Sequence, residues 1–549
     1  MVDTNMVIKT IVIIVYLAVV AVLGIMGYKR TKTASDYLIG GRKTHPMIMA
    51  LSYGATFIST SAIVGFGGNA GVFGMSLLWL TFLNIFLGIF IAFIFFGKRT
   101  RRIGQNLNAH TFPEFLGKRF QSKFIQKYIG IVIFIFMPVY TAAVMIGVAK
   151  FLESGLGVPY DIALLVFGVL IAVYVLFGGI KGVMYTDAFQ GVIMLVGMVV
   201  LLVAVYAQLG GITSAHQQLT DLSTNPAVAD QITNLQAGGF NGWTSMPAEG
   251  SKYWWTVVTT IVLGVGIGVL AQPQLAVRFM TVKSDREINR AVPIGGVFIL
   301  FMTGVAFVVG ALSNVLFFNA QGQVAIAAAG GSTDSIIPLF LDNFMPEWFV
   351  TVFLVLLLAA GMSTISSQFH AIGTAVGRDI FKVKEDTSPG KSMLISRIGV
   401  LVAIVITIVL SFVLPTIWDG AIAIATALFF GLCCAAFLPM YFGALYFKKM
   451  TRTAAISGMV AGSVSSLLWM MFFHAKEATV IKVCEWLFGV PTLAPAGSNL
   501  DVVDPLIVAL PIAIIATVIA QVVSKKRLEK QHLDLCFHGM KTQAQTEQA

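Results

Sequence analysis

The chain has 549 residues, of which 57% are hydrophobic and only 11% charged. A soluble protein of ordinary composition carries roughly 25% charged residues, so this length does not mean several water-soluble domains. The formal charge of +11 does not mark a nucleic-acid partner, because Lys and Arg gather at the ends of apolar runs, where they act as topology signals.

A membrane span needs about 20 mainly apolar residues. Such runs occupy 6–27, 47–73, 76–97, 125–153, 160–179, 187–208, 253–275, 292–317, 348–375, 395–415, 420–446, 453–474 and 503–524. This predicts about thirteen crossings, with ends placed to about four residues. The basic cluster Lys29, Arg30 and Lys32 follows the first run and does not precede it, so that run reads as a span and not as a cleaved leader. Every second connection is basic. These hold Arg42 and Lys43, then Lys98, Arg99, Arg101, Arg102, Lys118, Arg119 and Lys123, then Lys181. Further along come Arg278, Lys283, Arg286 and Arg290, then Arg378, Lys382, Lys384, Lys391 and Arg397, then Lys448, Lys449 and Arg452. The connections between them are poor in basic residues, and 209–251 and 318–346 have none. The positive-inside rule places the N-terminus outside and the C-terminus in the cytoplasm. It also keeps 395–415 and 420–446 separate across Trp418, Asp419 and Gly420. The loop 209–251, rich in Gln, Asn, Thr and Gly, reads as a lid or as short surface helices. The tail after Arg527 reads as polar and flexible.

Cys433, Cys434, Cys484 and Cys536 show no metal-ligand spacing and read as buried free thiols. No H-E-x-x-H, no G-x-x-x-x-G-K-[ST] and no G-x-S-x-G is present, so the chain reads as no enzyme. A gradient or a partner subunit must drive it.

Three apolar segments carry candidate chemistry. The first is 50–68, loaded with hydroxyls (Ser52, Thr56, Ser59, Thr60, Ser61) and glycines (Gly54, Gly65, Gly67, Gly68). It reads either as a helix broken at its middle or as a glycine-rich packing face. The second, 264–274, combines Gly264, Gly266 and Gly268 with Gln272-Pro273. Two interrupted helices five spans apart are the mark of an inverted-repeat transporter with its site where they cross. The third runs from Ala359 to Gln368. Ala360, Ser363, Thr364 and Ser367 share one helical face. That face offers the oxygen ligands a small hard cation wants, or a close-packing surface. Asp187 reads equally as a helix cap or as a cation ligand. His370 reads as a buried neutral histidine bonded to a neighbour, or as a substrate or proton contact.

Three motifs taken in order resemble the sodium:solute symporter family over roughly residues 6–450. They are 37–42 (Tyr-Leu-Ile-Gly-Gly-Arg), 177–190 (Phe-Gly-Gly-Ile-Lys-Gly-Val-Met-Tyr-Thr-Asp-Ala-Phe-Gln) and the run 360–368. The resemblance implies an all-α polytopic membrane protein with a leucine-transporter-type core of five-plus-five inverted repeats. An accessory helix and cytoplasmic loop (1–46) precede the core (47–446, repeats 47–208 and 253–446). Two accessory helices (447–524) and a cytoplasmic tail (525–549) follow it. It implies sodium as the coupling ion, held by backbone carbonyls at Ala55, Ile58 and Ala360 and by the hydroxyls of Ser363 and Thr364. Some members bind a second sodium, for which the matching positions are Asp187, Ser363, Ser366 and Ser367. It also implies alternating access in a bacterial-type plasma membrane.

The stretch 271–280 looks more like the proline and pantothenate branches than the sugar branch. Proline carriers have aromatic residues one and two turns before the proline, where this chain has Val269 and Val265. The expected solute is a small carboxylate: a monocarboxylate, a pantothenate-like acid or an amino acid. Ser59, Thr60, Tyr140 and Gln272 are its candidate contacts. Two alternatives stay open: a proton-coupled carrier of the same fold using His370, or a transporter-like nutrient sensor, for which no output domain is read after residue 524.

Overall fold

A computed structural model describes residues 4–29, 34–177, 180–381, 389–418 and 420–540. Gly178 and Gly179 of the second motif, Asp419, and the basic residues Arg30, Lys32, Lys382 and Lys384 lie outside the described residues, as does the end of the tail from 541. Among the described residues the regular structure is helical, with one isolated bridge between Thr44 and Val282. Helix dominates because a chain in hydrocarbon must satisfy its backbone internally. Among the described residues eleven helices are long and apolar enough to cross a membrane, and Tyr160–Val173 is a shorter apolar one. The segment 47–73 falls short as one continuous helix because it is split in the middle.

The principal helices in chain order are α1 (Thr4–Lys29), α2a (Pro46–Phe57), α2b (61–73), α3 (78–106), α4 (Lys123–Leu156), α5 (Tyr160–Phe177) and α6 (Ile180–Gln208). There follow α7a (Lys252–Ala271), α7b (273–281), α8 (Asp285–Gln321), α9 (Glu347–Ile380), α10 (Pro389–Ile417), α11 (Ala421–Tyr446), α12 (Arg452–Phe472) and α13 (Pro505–Val523). α9 and α11 are the most deeply buried, while α1 and α13 expose most of their surface. Both α9 and α11 pack against α4. α1 rests on α6 where two small residues meet: a Cβ on Gly27 would lie 2.2 Å from the Gly182 backbone. Gln190 of α6 donates to the Tyr16 hydroxyl of α1 at 2.7 Å.

The two breaks arise differently. α2a ends at Ile58, whose backbone is extended (φ −90°, ψ 104°). Ser59 then restarts the helix, its hydroxyl accepting the Ser61 N–H at 3.1 Å as an N-cap does. α7a ends at Gln272, also extended (φ −73°, ψ 118°), because Pro273 follows and opens α7b.

The basic connections cluster on one face of the molecule. There Arg99 and Arg119 donate to the Leu445 and Ala444 carbonyls, and Arg452 to that of Phe120. On the same face the Thr44 N–H donates to the Thr281 carbonyl at 3.2 Å, joining the start of α2a to the end of α7b. On the other face the loop 209–251 forms short helices, Ile212–Leu222 and Ala229–Ala237. Its Trp243 is fully buried, donating Nε1–H to the Gly71 carbonyl at 2.9 Å. Gly74, at φ +65°, leaves no room for a Cβ beneath the Trp243 carbonyl.

Candidate ion and solute sites

The helix break at Ile58 leaves the last carbonyls of α2a without helical partners. Gly54 takes the Ile58 N–H at 2.8 Å. The Ala55 and Thr56 carbonyls turn instead to hydroxyls of α9. Ser363 donates to Ala55 O at 2.8 Å and is also 3.2 Å from Ala360 O. Thr364 lies 3.1 Å from Thr56 O and 3.3 Å from Ala55 O. All of these residues are buried. The structure therefore brings Ala55, Ala360, Ser363 and Thr364 into one cluster of oxygens; Ile58 is the extended residue at the break, its N–H bound to Gly54. Hydroxyls that donate here also carry lone pairs, so the same atoms can ligate a hard cation, which prefers oxygen. Close approach is allowed by small residues. A Cβ on Gly361 would sit 2.4 Å from Val148, and one on Gly147 would sit 2.9 Å from Thr60.

One turn toward the basic face lies a second polar centre. Asp187 accepts from Ser52 at 2.8 Å and from the Arg278 guanidinium at 2.9 Å, both on Oδ2, and Thr56 is 3.4 Å away. Arg278 donates also to Ser52 (3.0 Å), Thr56 (2.5 Å), Ser367 (2.7 Å) and the Gln274 carbonyl (2.6 Å). The ion pair is buried, with 2% and 0% of the two side chains exposed. Of the set Asp187, Ser363, Ser366 and Ser367, only Asp187 and Ser367 meet at this centre. Ser363 faces Ala55, and Ser366 donates back to Ser363 O of its own helix.

Two readings from sequence are corrected here. Asp187 is no helix cap: α6 begins at Ile180, so its carboxylate points into the core from the second turn. Arg278 is no connection residue: it lies in α7b, six residues past the break, and is buried. Its role was missed because a charge near the end of an apolar run ordinarily reports topology. A usable signal was present, since a carboxylate at membrane depth needs a countercharge.

The candidate solute contacts divide. Ser59 and Tyr140 interact through their side chains. Tyr140 packs edge-on to Phe430 at 5.2 Å, and Phe430 stacks with Phe57 at 6.3 Å. Thr60 turns away to donate to Val144 O at 2.7 Å. Gln272 donates back to Gly268 O at 3.3 Å and accepts from Gln274 at 3.1 Å. His370 hydrogen-bonds the Leu38 backbone and lines a narrow cavity on the basic-face side with Thr111, Gln274 and Ser367. On the loop face a vestibule is lined by Asn69 and Phe73 of α2b, Tyr253 and Thr256 of α7a, Thr333, and Ala423 of α11.

The basic end of α9 is tied to the short helix Phe112–Arg119. Arg378 grips Glu114 with two bonds of 2.9 Å, and Lys118 adds a contact at 2.8 Å. Burial opposes ionisation of Glu114, but the His110 bond and the Arg378 and Lys118 cations hold its carboxyl well below the usual carboxylate range.

A family model described as the sodium:solute symporter family matches residues 37–462. This chain belongs to that family. It is 29% identical over 454 residues to the "High-affinity proline transporter PutP" of Bacillus subtilis (strain 168), covering 81% of this chain and 89% of that one. A "Sodium/proline symporter" of Staphylococcus aureus (strain JH9) is also 29% identical, over 499 residues, covering 84% and 85%. Among solved structures, a Na+-coupled sialic acid symporter in a substrate-bound outward-open state superposes with a TM-score of 0.73 at 18% identity, over 95% of this chain and 98% of that one. A nucleobase-cation-symport-1 family transporter in a closed conformation gives 0.50 at 13% identity, covering 92% and 99%. The fold is that of leucine-transporter-type carriers, the family is one of transporters and not enzymes, and the chain is a multi-pass membrane protein.

Proposed function

We propose that this chain is a sodium-coupled symporter that imports a small carboxylate-bearing solute by alternating access. It would lie in the plasma membrane with about thirteen crossings, the N-terminus outside and the basic face in the cytoplasm. The observation that carries the reading is the crossing of α2 and α9, where orphan carbonyls of a broken helix face two hydroxyls. Sodium bound there draws α2 onto α9 and completes the neighbouring solute site. Opening toward the basic face parts the two helices and weakens its ligands. The membrane potential favours inward movement of the cation by about 2.3 kcal/mol per charge per 100 mV.

The solute meets Ser59, whose N–H and hydroxyl stand at the start of α2b, where the helix dipole favours a carboxylate. Tyr140, Phe57 and Phe430 supply an apolar wall beside it. Val269 and Phe57 both reach over Gly88, so the wall is aliphatic where proline carriers place an aromatic ring. That favours a solute bulkier than proline, although the relatives named above are proline transporters. The test is uptake in vesicles across a panel of short carboxylates, amino acids, pantothenate and sugars. Replacing both hydroxyls, Ser363→Ala with Thr364→Ala, raises the sodium needed for half-maximal uptake at least tenfold. Unchanged sodium dependence at normal expression defeats the assignment, and a response confined to sugars overturns the solute class.

A further inference from the structure

The Asp187 centre has the donor set of a cation site: three hydroxyls (Ser52, Thr56, Ser367) and one carboxylate, contributed by α2a, α9 and α6. All four side chains are buried. A bare carboxylate in that setting is costly without a countercharge, so the centre requires a cation. The structure already holds one. Each of those four oxygens lies within 3.0 Å of an Arg278 nitrogen, and the guanidinium is carried on α7b, the half-helix beyond the proline break. Its remaining reach is fixed by the bond from Nη1 to the Gln274 carbonyl.

We infer that Arg278 is a tethered cation filling the Asp187 centre, so that this carrier binds and couples to a single sodium, the one at the Ala55–Ser363–Thr364 crossing. The guanidinium supplies the charge that a second sodium would supply. It does so permanently, because an arginine side chain stays protonated at any physiological pH. It cannot leave with the solute, so it adds no translocated ion to the cycle. The bond pattern supports this division. Thr56 hydrogen-bonds Arg278 and Asp187 through its side chain, while its carbonyl faces Thr364 at the sodium crossing. One residue of α2a thus borders both centres, the fixed cation through its side chain and the proposed sodium crossing through its carbonyl. The Asp187 Oδ1 atom has no hydrogen-bond partner among the described residues. It is the atom a competing sodium would use, which makes the stoichiometry measurable.

This inference rests on the sodium-coupled reading, and the experiment separates the two. Purified full-length chain in detergent is titrated with radioactive sodium and bound ions are counted per chain. The wild type binds one. Arg278→Gln, which removes the tethered charge, binds a second sodium, and adding Asp187→Asn abolishes that second ion while sparing the first. Two ions on the wild type overturn the inference, as does an Arg278→Gln protein that is monodisperse, keeps the first ion and gains no other. The wild-type count decides even if the variant does not fold. No bound sodium on the wild type would overturn the sodium-coupled reading itself.

Discussion

The two broken helices are related by the architecture, yet their breaks are made and used in opposite ways. α2 breaks without a proline, through an extended Ile58 and a serine that restarts the helix. α7 breaks because Pro273 forces Gln272 out of the helical region. The first break exposes carbonyls, the negative end of a half-helix, and surrounds them with hydroxyls. That is a neutral cage, the one proposed above for the mobile cation. The second break delivers a positive side chain from the protein itself. Neutral oxygens carry no fixed charge that a bound cation must leave behind, whereas a buried ion pair is costly to separate.

The comparison is broken most severely at the fixed charge. Arg278→Met leaves Asp187 buried without its partner and is expected to cost about 3–5 kcal/mol of stability. Denaturation of the purified protein in potassium reads the loss, and added sodium recovers part of it if the centre accepts an ion once the guanidinium is gone. An ion pair outside the membrane gives a smaller effect with a different signature. Glu114→Gln removes the two-bonded Arg378 contact and is expected to cost about 2 kcal/mol at neutral pH. Because the folded carboxyl titrates below its unfolded value, its stabilisation is complete above about pH 4.3 and is lost as pH falls below that. The variant therefore shows a flatter acid limb in a melting-temperature series. The neutral cage responds less in stability and more in function: the Ser363→Ala and Thr364→Ala pair shifts sodium dependence at least tenfold, equivalent to about 1.4 kcal/mol. The mildest change is Ser59→Ala. Loss of the cap that restarts α2b is expected to cost about 1 kcal/mol, and solute half-saturation rises more than sodium half-saturation if Ser59 faces the solute.

Much of this was legible in the residues. Runs of apolar sequence and alternating charge mark the helices, since hydrocarbon leaves the backbone few choices. The break at Gln272 is written in its proline. The break in α2 is less direct, because glycines and hydroxyls also serve packing, and only the Ser59 cap distinguishes the two uses. Helical spacing puts Ala360, Ser363 and Thr364 on one face, and that face meets the broken segment at Ala55 and Thr56, where the family resemblance implied Ala55 and Ile58. Arg278 was not legible in isolation. Its position in the sequence is that of a topology charge, and only the three-dimensional return of α6 and α9 turns it inward. Thr60 and Gln272 likewise have the right chemistry for a solute contact, but their hydrogen bonds point elsewhere: to α4 for Thr60, and along their own segment for Gln272.

A backbone hydrogen bond joins the segment leading into α2a to the end of α7b, the Thr44 amide to the Thr281 carbonyl. On the alternating-access reading proposed above, it reports whether the start of α2a and the end of α7b stay together as the basic face opens. Its proton is therefore a clock. Deuterium exchange at that single amide counts openings directly, with no solute, label or engineered cysteine. Sodium should slow it, and a transported solute should make it tick faster.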